Sequence, residues 1–593
     1  MSSECQPNFK HWLESYMEDS SKSRLTISVA NAADRQAIYR MRHDVYASEL
    51  GQYESRPDGS LPDATDINST YIIANTNGML VGFVAITPPT SPRYSVEKYL
   101  SRNEIPITFS DRLYEIRALT VKQTLRGLFI AGNLMYAAFR WVEAHGGNDI
   151  LSIGRREVLD MYLRLGLTRA GQSFKCGMVK YDLIRASTSD IANKLDLFQS
   201  QLNRMEKLTD WQLGVNFRRP AECYHGGAFF DAIGDQFEDL SRRQNIINAD
   251  VLDAWFPPAP SAQQVLHEQL AWLMRTSPPT RADGLAQIIA KVRGINPGCI
   301  LTGGGSSALI FLAFRQWLNS SSRVLILEPT YGEYTHVLEN IIQCQVERLV
   351  LDRHDGYQLN LETLTLKLSE EFDLFVWVNP NSPTGLHVEK ADVEAVLQKS
   401  TKCKRVWIDE TYVEYVGPAH SLESFAAISE NVIVCKSLSK VYALSGLRAA
   451  YLCASPHQLE DLKVLTPPWS VSLPGQIAAT YALQSQDYYA MRYKETHDLR
   501  AKLIDGLQQI GINEIIPGKA NFVMFHLPAD VEDATTIVMK CREHGLYIRD
   551  VSELGSAMGN RAIRMAVKDA ETNIRMLRIF ENVLIKNTEI AHR

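Results

Sequence analysis

Four short hydrophobic strands in the C-terminal half, each ending abruptly in a polar cluster, constrain this chain more than any other feature. Val432–Cys435 runs into Lys436-Ser437-Leu438-Ser439-Lys440, and Leu374–Val378 into Asn379-Pro380-Asn381-Ser382-Pro383-Thr384-Gly385. Arg405–Ile408 runs into Asp409-Glu410-Thr411-Tyr412, and Ile300–Leu301 into Thr302-Gly303-Gly304-Gly305-Ser306-Ser307. Strands that lack polar alternation are buried on both faces, as in a largely parallel sheet covered by helices. The polar clusters then gather at the carboxyl edge of that sheet, where open α/β folds bind ligands.

The clusters carry a consistent chemistry. A lysine at the end of a buried strand is a candidate Schiff-base former rather than a surface charge, which makes Lys440 the candidate nucleophile. Ser437, Ser439 and Arg448 together can hold a dianionic phosphate by charge-assisted hydrogen bonds. The glycine run turns into a helix, so the backbone N–H groups of Ser306, Ser307 and Ala308 point at an anion. A lysine linkage combined with a phosphate clamp points to pyridoxal 5′-phosphate.

In this order, the four clusters resemble the fold-type-I pyridoxal-phosphate enzymes, and among them the histidinol-phosphate aminotransferase group, over roughly residues 245–593. The resemblance implies a site residue by residue. Tyr331, the first tyrosine of Tyr331-Gly332-Glu333-Tyr334, stacks on the cofactor ring. Asn381 donates its amide to the ring 3′-oxygen, which Tyr412 shares, and Asp409 accepts the protonated ring nitrogen. Lys440 links the cofactor and shuttles protons. Arg564, in Ala562-Ile563-Arg564-Met565-Ala566-Val567, grips the substrate α-carboxylate, while Arg549 holds a distal anionic group or forms a structural ion pair. Val251–Pro258 and Thr276–Pro279 depart from the group's substrate-facing segments. The resemblance therefore implies aminotransfer, with decarboxylation or β/γ-elimination or replacement on the same frame as the alternative.

At 593 residues the chain is too long for one ordinary domain. In the N-terminal part, Arg24–Ala30 alternates as a strand, and Asp34–Leu50 has helical periodicity stopped by Gly51. Tyr71–Ala74 and Val81–Ile86 flank an Asn77-Gly78 hairpin turn. Leu113–Val121 is a strand, Ile130–His145 a helix, Leu151–Gly154 a strand and Val158–Leu165 a helix. This order is similar to the acetyltransferase-like (GNAT) fold. Arg126-Gly127-Leu128-Phe129-Ile130-Ala131 resembles that superfamily's pyrophosphate loop, with Phe129 crowding the position where the loop wants glycine. Tyr162 sits where the superfamily carries a general acid. Met41–Tyr46, Glu49–Gly51, Asp63, Asp66 and Glu115-Ile116-Arg117 look like the acyl-homoserine-lactone synthases. The cleft implied by Arg126 and Tyr162 would take an acyl-CoA only weakly, and the unit could instead be a docking or oligomerisation module.

The expected architecture is α/β: a tail or helix over 1–23, a GNAT-like domain over 24–184, and a helical connector over 185–247. A mostly parallel cofactor domain over 248–500 and a small C-terminal α/β subdomain over 501–593 follow. A net charge of −6 argues against a nucleic-acid surface. The scattered cysteines show no zinc-ligand spacing, so no metal is expected. No signal peptide and no membrane span is expected, which suggests a cytoplasmic enzyme, and the resemblance implies a homodimer.

Overall fold

The computed structural model describes residues 25–591 except 126–127, 197–201, 203–204, 207, 216–226, 235–236, 238 and 401. The expected tail over 1–23 and Arg126 therefore lie outside the described residues. The chain forms two compact units, Met1–Pro220 and Ala221–Arg593.

Unit 1 is built on an eight-stranded sheet. Its strands are β1 (Leu25–Val29), β2 (Thr70–Thr76), β3 (Met79–Thr87), β4 (Leu113–Val121), β5 (Asp149–Arg155), β6 (Thr168–Cys176), β7 (Val179–Ser187) and β8 (Thr209–Gln212), in the order β6-β7-β5-β4-β3-β2-β1-β8. The β2–β3 turn is the expected hairpin, with Asn77 and Gly78 both at positive φ (51° and 74°), as a two-residue primed turn requires. β4 and β5 run parallel, and β1 to β4 are antiparallel in succession. Helix α1 (Arg35–Arg42) continues as a wider π-helical stretch, His43–Glu49, and α2 (Leu128–Ala144) packs its apolar side into the core with Ile72, Val84 and Ile150. α3 (Leu159–Arg164) carries Tyr162.

One expectation for this unit changes, and another falls partly outside the described residues. Phe129 is buried in the core cluster with α2, and the loop it is expected to crowd, at Arg126 and Gly127, lies outside the described residues. The stretch read as connector begins inside β7 and includes β8, which pairs parallel with β1 and so covers an otherwise open sheet edge. The helix there is described over Thr188–Asp196 only.

Unit 2 holds the expected mostly parallel sheet, of seven strands. Its strands are β10 (Ile300–Gly303), β11 (Arg323–Glu328), β12 (Gln345–Val350), β13 (Leu374–Val378), β14 (Val406–Asp409), β15 (Val432–Ser437) and β16 (Ala450–Cys453), in the order β10-β16-β15-β14-β13-β11-β12; the two-residue β9 (Ile247–Asn248) precedes them. Only β16 runs against its neighbours. β13, β14 and β15 are buried at every position, as their unbroken apolar runs dictate. A small antiparallel sheet follows, from β17 (Glu514–Ile516), β18 (Phe522–His526), β20 (Arg549–Asp550) and β21 (Ala562–Ala566), while β19 (Leu546–Tyr547) pairs with β9. The chain enters this subdomain along one unbroken helix, Gln486–Gln509, which runs through the boundary expected at residue 500.

Candidate functional site

The carboxyl ends of β11, β13, β14 and β15 share one edge because these strands are parallel, and β10 points the same way. A cavity of about 130 Å³ opens there. One end of it is built for an anion. Ser306 and Ser307 open the helix Ser306–Trp317, and Ser437, Ser439 and Arg448 face the same space. Gly305 sits at φ 107°, and a Cβ on it would come 2.4 Å from Arg448 Nη2. Only glycine lets the guanidinium lie against that turn. Ala308 lies in the first turn of the helix but is not on the cavity wall.

The middle of the cavity holds Tyr331, Asp409 and Tyr412. Asp409 is fully enclosed. Its Oδ1 accepts from the Thr411 N–H (2.9 Å) and hydroxyl (2.6 Å), and its Oδ2 accepts from the Tyr334 hydroxyl (2.7 Å). Burial pushes this carboxyl above its usual range, against the pull of those bonds. Tyr334 in turn accepts from Trp407 Nε1 at 2.8 Å. Tyr331 donates to Glu333 Oε2 (2.9 Å), which Ser307 Oγ also reaches (2.8 Å). Tyr412 packs edge-on against Phe522, and burial drives its phenol strongly upward.

Lys440 projects into the same cavity, and its Nζ donates to Asp253 Oδ1 at 2.8 Å. Burial works to raise the Asp253 carboxyl, but Lys440, Ser445 and Lys568 together hold it below the usual carboxylate range. Lys568 is a second lysine beside this pair, and burial pushes its ammonium down to about 8. The neighbouring Lys436 has a different fate. It is buried on the sheet with Glu414 (3.0 Å), Glu410 (3.3 Å) and Glu423 (3.7 Å) around its ammonium, so it is held as part of an internal ion cluster.

Arg564 reaches the cavity from β21. Its Nη1 donates to Ser382 Oγ (3.2 Å) and its Nη2 to the Asp250 carbonyl (3.3 Å), while Nε is enclosed with no hydrogen-bond partner. Arg549 is its cross-strand neighbour on β20 and lies 3.6 Å from Asp250 Oδ1, an ion pair off the cavity wall. Asn381 also departs from its expected geometry. Its Nδ2 donates to the Pro329 carbonyl and to Thr384 Oγ1 (3.1 Å each), leaving Oδ1 as the atom without a partner. A carbonyl can only accept, so it claims the amide nitrogen that was expected to face the ring oxygen.

The residues present fit pyridoxal phosphate. The anion end can take the phosphate, the enclosed carboxylate can face the ring nitrogen, and the lysine reaches the space between. Asp253, Tyr334, Thr411 and Lys568 were not singled out from sequence. Asp253 follows Leu252 in the very segment that departs from the resembling group, and that departure was the available signal.

In unit 1 a cavity of about 450 Å³ is lined by Tyr162 and by a cluster of charges. Arg42 is bonded to Asp66 (3.0 Å) and to the Tyr71 hydroxyl; Arg117 lies 3.4 Å from Asp66 and 3.7 Å from Asp63, which also binds Lys98. Glu115 accepts from the N–H groups of Ser95 (2.7 Å) and Val96 (2.8 Å). Burial pushes the Tyr162 phenol up to about 12.

Residues 260–580 match the family "Aminotransferase class I and II". The chain is similar to the histidinol-phosphate aminotransferase of Acinetobacter baumannii (strain SDF), 27% identical over 349 residues, covering 58% of this chain and 92% of that protein. Its fold is similar to that of the histidinol-phosphate aminotransferase of Sinorhizobium meliloti in complex with pyridoxal-5′-phosphate, at 23% identity and a TM-score of 0.53, over 58% of this chain and 93% of the other. The L-threonine-O-3-phosphate decarboxylase of Porphyromonas gingivalis is similar in fold too, at 20% identity and a TM-score of 0.50, over 58% of this chain and all of that one. Among the described residues no helix is long and apolar enough to cross a membrane.

Proposed function

The chain belongs to the class I and II aminotransferases and is a pyridoxal-phosphate-dependent transferase, and from that premise we propose that unit 2 transfers the amino group of a small amino acid or amine in a dedicated small-molecule pathway. The observation that carries the site is the convergence of Lys440, Asp409, Arg448 and Arg564 on one cavity. When bound, pyridoxal phosphate supplies a ring that withdraws electrons from the substrate Cα. Everything else is work for this chain's own side chains.

The N–H groups of Ser306, Ser307 and Ala308, with Ser437, Ser439 and Arg448, hold the phosphate. Tyr331 would give its ring face to the cofactor ring, and Tyr412 would bond the ring oxygen. Asn381, whose Nδ2 is taken up by the Pro329 carbonyl and Thr384, would have only its Oδ1 to offer, an acceptor rather than the expected donor. Asp409 keeps the ring nitrogen protonated; an ion partner for its buried carboxylate offsets the desolvation that otherwise raises it. Lys440 would carry the cofactor and, as a free amine, would move the proton at the substrate Cα. Asp253 orients the Lys440 Nζ while it is not linked to the cofactor.

Arg564 grips the substrate carboxylate, since its fork already lies between Ser382 and Asp250 with Nε to spare. Arg564→Ala is expected to lower kcat/KM for amino acids about a hundredfold or more, because each hydrogen bond to a charged group contributes about 1.5–3 kcal/mol. Amines without a carboxylate should lose far less, and steady-state kinetics on both substrate types checks this. Arg549 steadies Asp250 and stands next in line for a distal anionic group.

The reaction type is tested by mixing the holoenzyme with candidate amino acids and no acceptor. Aminotransfer yields oxo acid up to one equivalent per active site. Carbon dioxide without oxo acid would replace this reading with decarboxylation, and a released side-chain fragment accompanied by ammonia and by oxo acid beyond one equivalent would replace it with elimination. A cytoplasmic homodimer is the proposed setting. Leu270, Trp272 and Met274 on the helix Pro260–Arg275 are exposed, as is Trp469, whose N–H bonds the Thr280 carbonyl just beyond that helix.

Unit 1 is proposed to be GNAT-like. Support comes from its antiparallel β1–β4 and the parallel β4–β5 pair. The apolar walls beside its charge cluster, Val45, Leu50, Leu119 and Met161 among them, suit an acyl chain longer than acetyl. In calorimetric titrations of the full chain, a longer acyl-CoA is expected to bind more tightly than acetyl-CoA, and Arg117→Ala to weaken it. Silence with both would return unit 1 to a docking or oligomerisation role.

A further inference from the structure

A second cluster of ligating groups lies outside the cavity, on the two segments that lead away from it. The loop after β13 continues through His387 and Glu389 into the helix Lys390–Lys399. The segment after β14 reaches His420 at the end of the short turn Pro418–His420. One ligating atom of each of these three residues lies within 4.8 Å of the other two. His420 Nδ1 stands 3.2 Å from Glu389 Oε2. Two ligands on a tetrahedral ion, each at about 2.0–2.1 Å, sit about 3.3–3.4 Å apart, so this edge already has the required length. The His387 ring faces the His420 ring edge-on, with centroids 5.3 Å apart.

His387 is the telling residue. Both of its ring nitrogens are shielded from solvent, and neither has a hydrogen-bond partner. A neutral imidazole carries one donor and one acceptor, and buried groups of this kind are almost always satisfied. A metal ion on one nitrogen gives the ring a partner. A simple surface ion pair between Glu389 and His420 accounts for those two residues but leaves His387 unexplained.

The supporting frame is rigid. Asn379, at the end of β13, donates from Nδ2 to the Val388 carbonyl and accepts the Val388 N–H on Oδ1, both at 2.9 Å. The residue between two of the ligands is thus fastened to the sheet. On the other side Ser421, next to His420, donates to Glu410 Oε2 at 2.6 Å, and Glu410 directly follows Asp409. Such outer contacts are what fixes ligand orientation in metal sites.

We propose that His387, Glu389 and His420 form a site for a divalent transition ion of the zinc type. Two imidazoles with one carboxylate suit Zn²⁺, and Co²⁺ in its place, better than Ca²⁺ or Mg²⁺, which favour oxygen ligands. The bound ion ties the loop carrying Asn381 and Ser382 to the segment following Asp409, and so stiffens two walls of the cofactor cavity from behind. Full-length protein freed of metal with a chelator should take up one equivalent of Co²⁺ with the visible bands of tetrahedral coordination, and Zn²⁺ should displace it. His387→Ala and His420→Ala should abolish those bands, Glu389→Gln should weaken uptake, and Zn²⁺ should raise the Tm of the unaltered protein but of neither histidine variant. Should His387→Ala misfold, His420→Ala, at a side chain one third exposed, carries the test alone. Equal Co²⁺ spectra in wild type and variants, or no uptake by the wild type, would overturn the proposal.

Discussion

Replacing Lys440 with alanine is expected to give a folded protein that binds pyridoxal phosphate reversibly and has lost turnover. Loss of the proton carrier alone costs about 10²–10⁴-fold in rate, and loss of the covalent link adds to it. Borohydride should fix no cofactor on the variant, whereas in the wild type it should fix the cofactor on the peptide containing Lys440. Folding should survive because Asp253, the partner left behind, is more than a third exposed and keeps Lys568 nearby. The obvious competitor in the sequence is Lys436, four residues earlier. It cannot substitute, because three glutamates enclose its ammonium. A borohydride-stable link persisting in Lys440→Ala would therefore sink the site as a whole.

Asp409→Asn is expected to keep the cofactor and lose about a hundredfold to a thousandfold of kcat, the usual cost of removing one aligned electrostatic partner from an enclosed site. The amide can still accept from Thr411, but it cannot balance a positive ring nitrogen. It also presents an N–H toward the Tyr334 hydroxyl, which now donates to the carboxylate. Cofactor content, read by absorbance, should stay near one per chain while kcat falls. Unchanged turnover would show that Asp409 is not the ring's partner.

The cofactor half of this site was legible because its residues sit at the ends of short, unbroken apolar strands, where local sequence announces both the strand and the edge. Asp253 was not, because its contact with Lys440 joins positions 187 residues apart and leaves no local trace. Tyr334 was overlooked for a related reason: its neighbour Tyr331 was matched to a role first, and only packing reveals that Tyr334 reaches Asp409. β6 escaped notice because most of its side chains are exposed, so no apolar alternation marked it.

The hydrogen-bonded line from Trp407 through Tyr334 to Asp409 also makes the enzyme its own optical gauge. An indole whose N–H is committed to such a chain emits according to what the far end of the chain is doing. Every change of charge or partner at Asp409 is two hydrogen bonds away from a fully buried fluorophore. The emission of Trp407, isolated by subtracting that of a Trp407→Phe protein, is thus expected to follow the occupancy of the ring site, which titrating the apoprotein with pyridoxal phosphate checks.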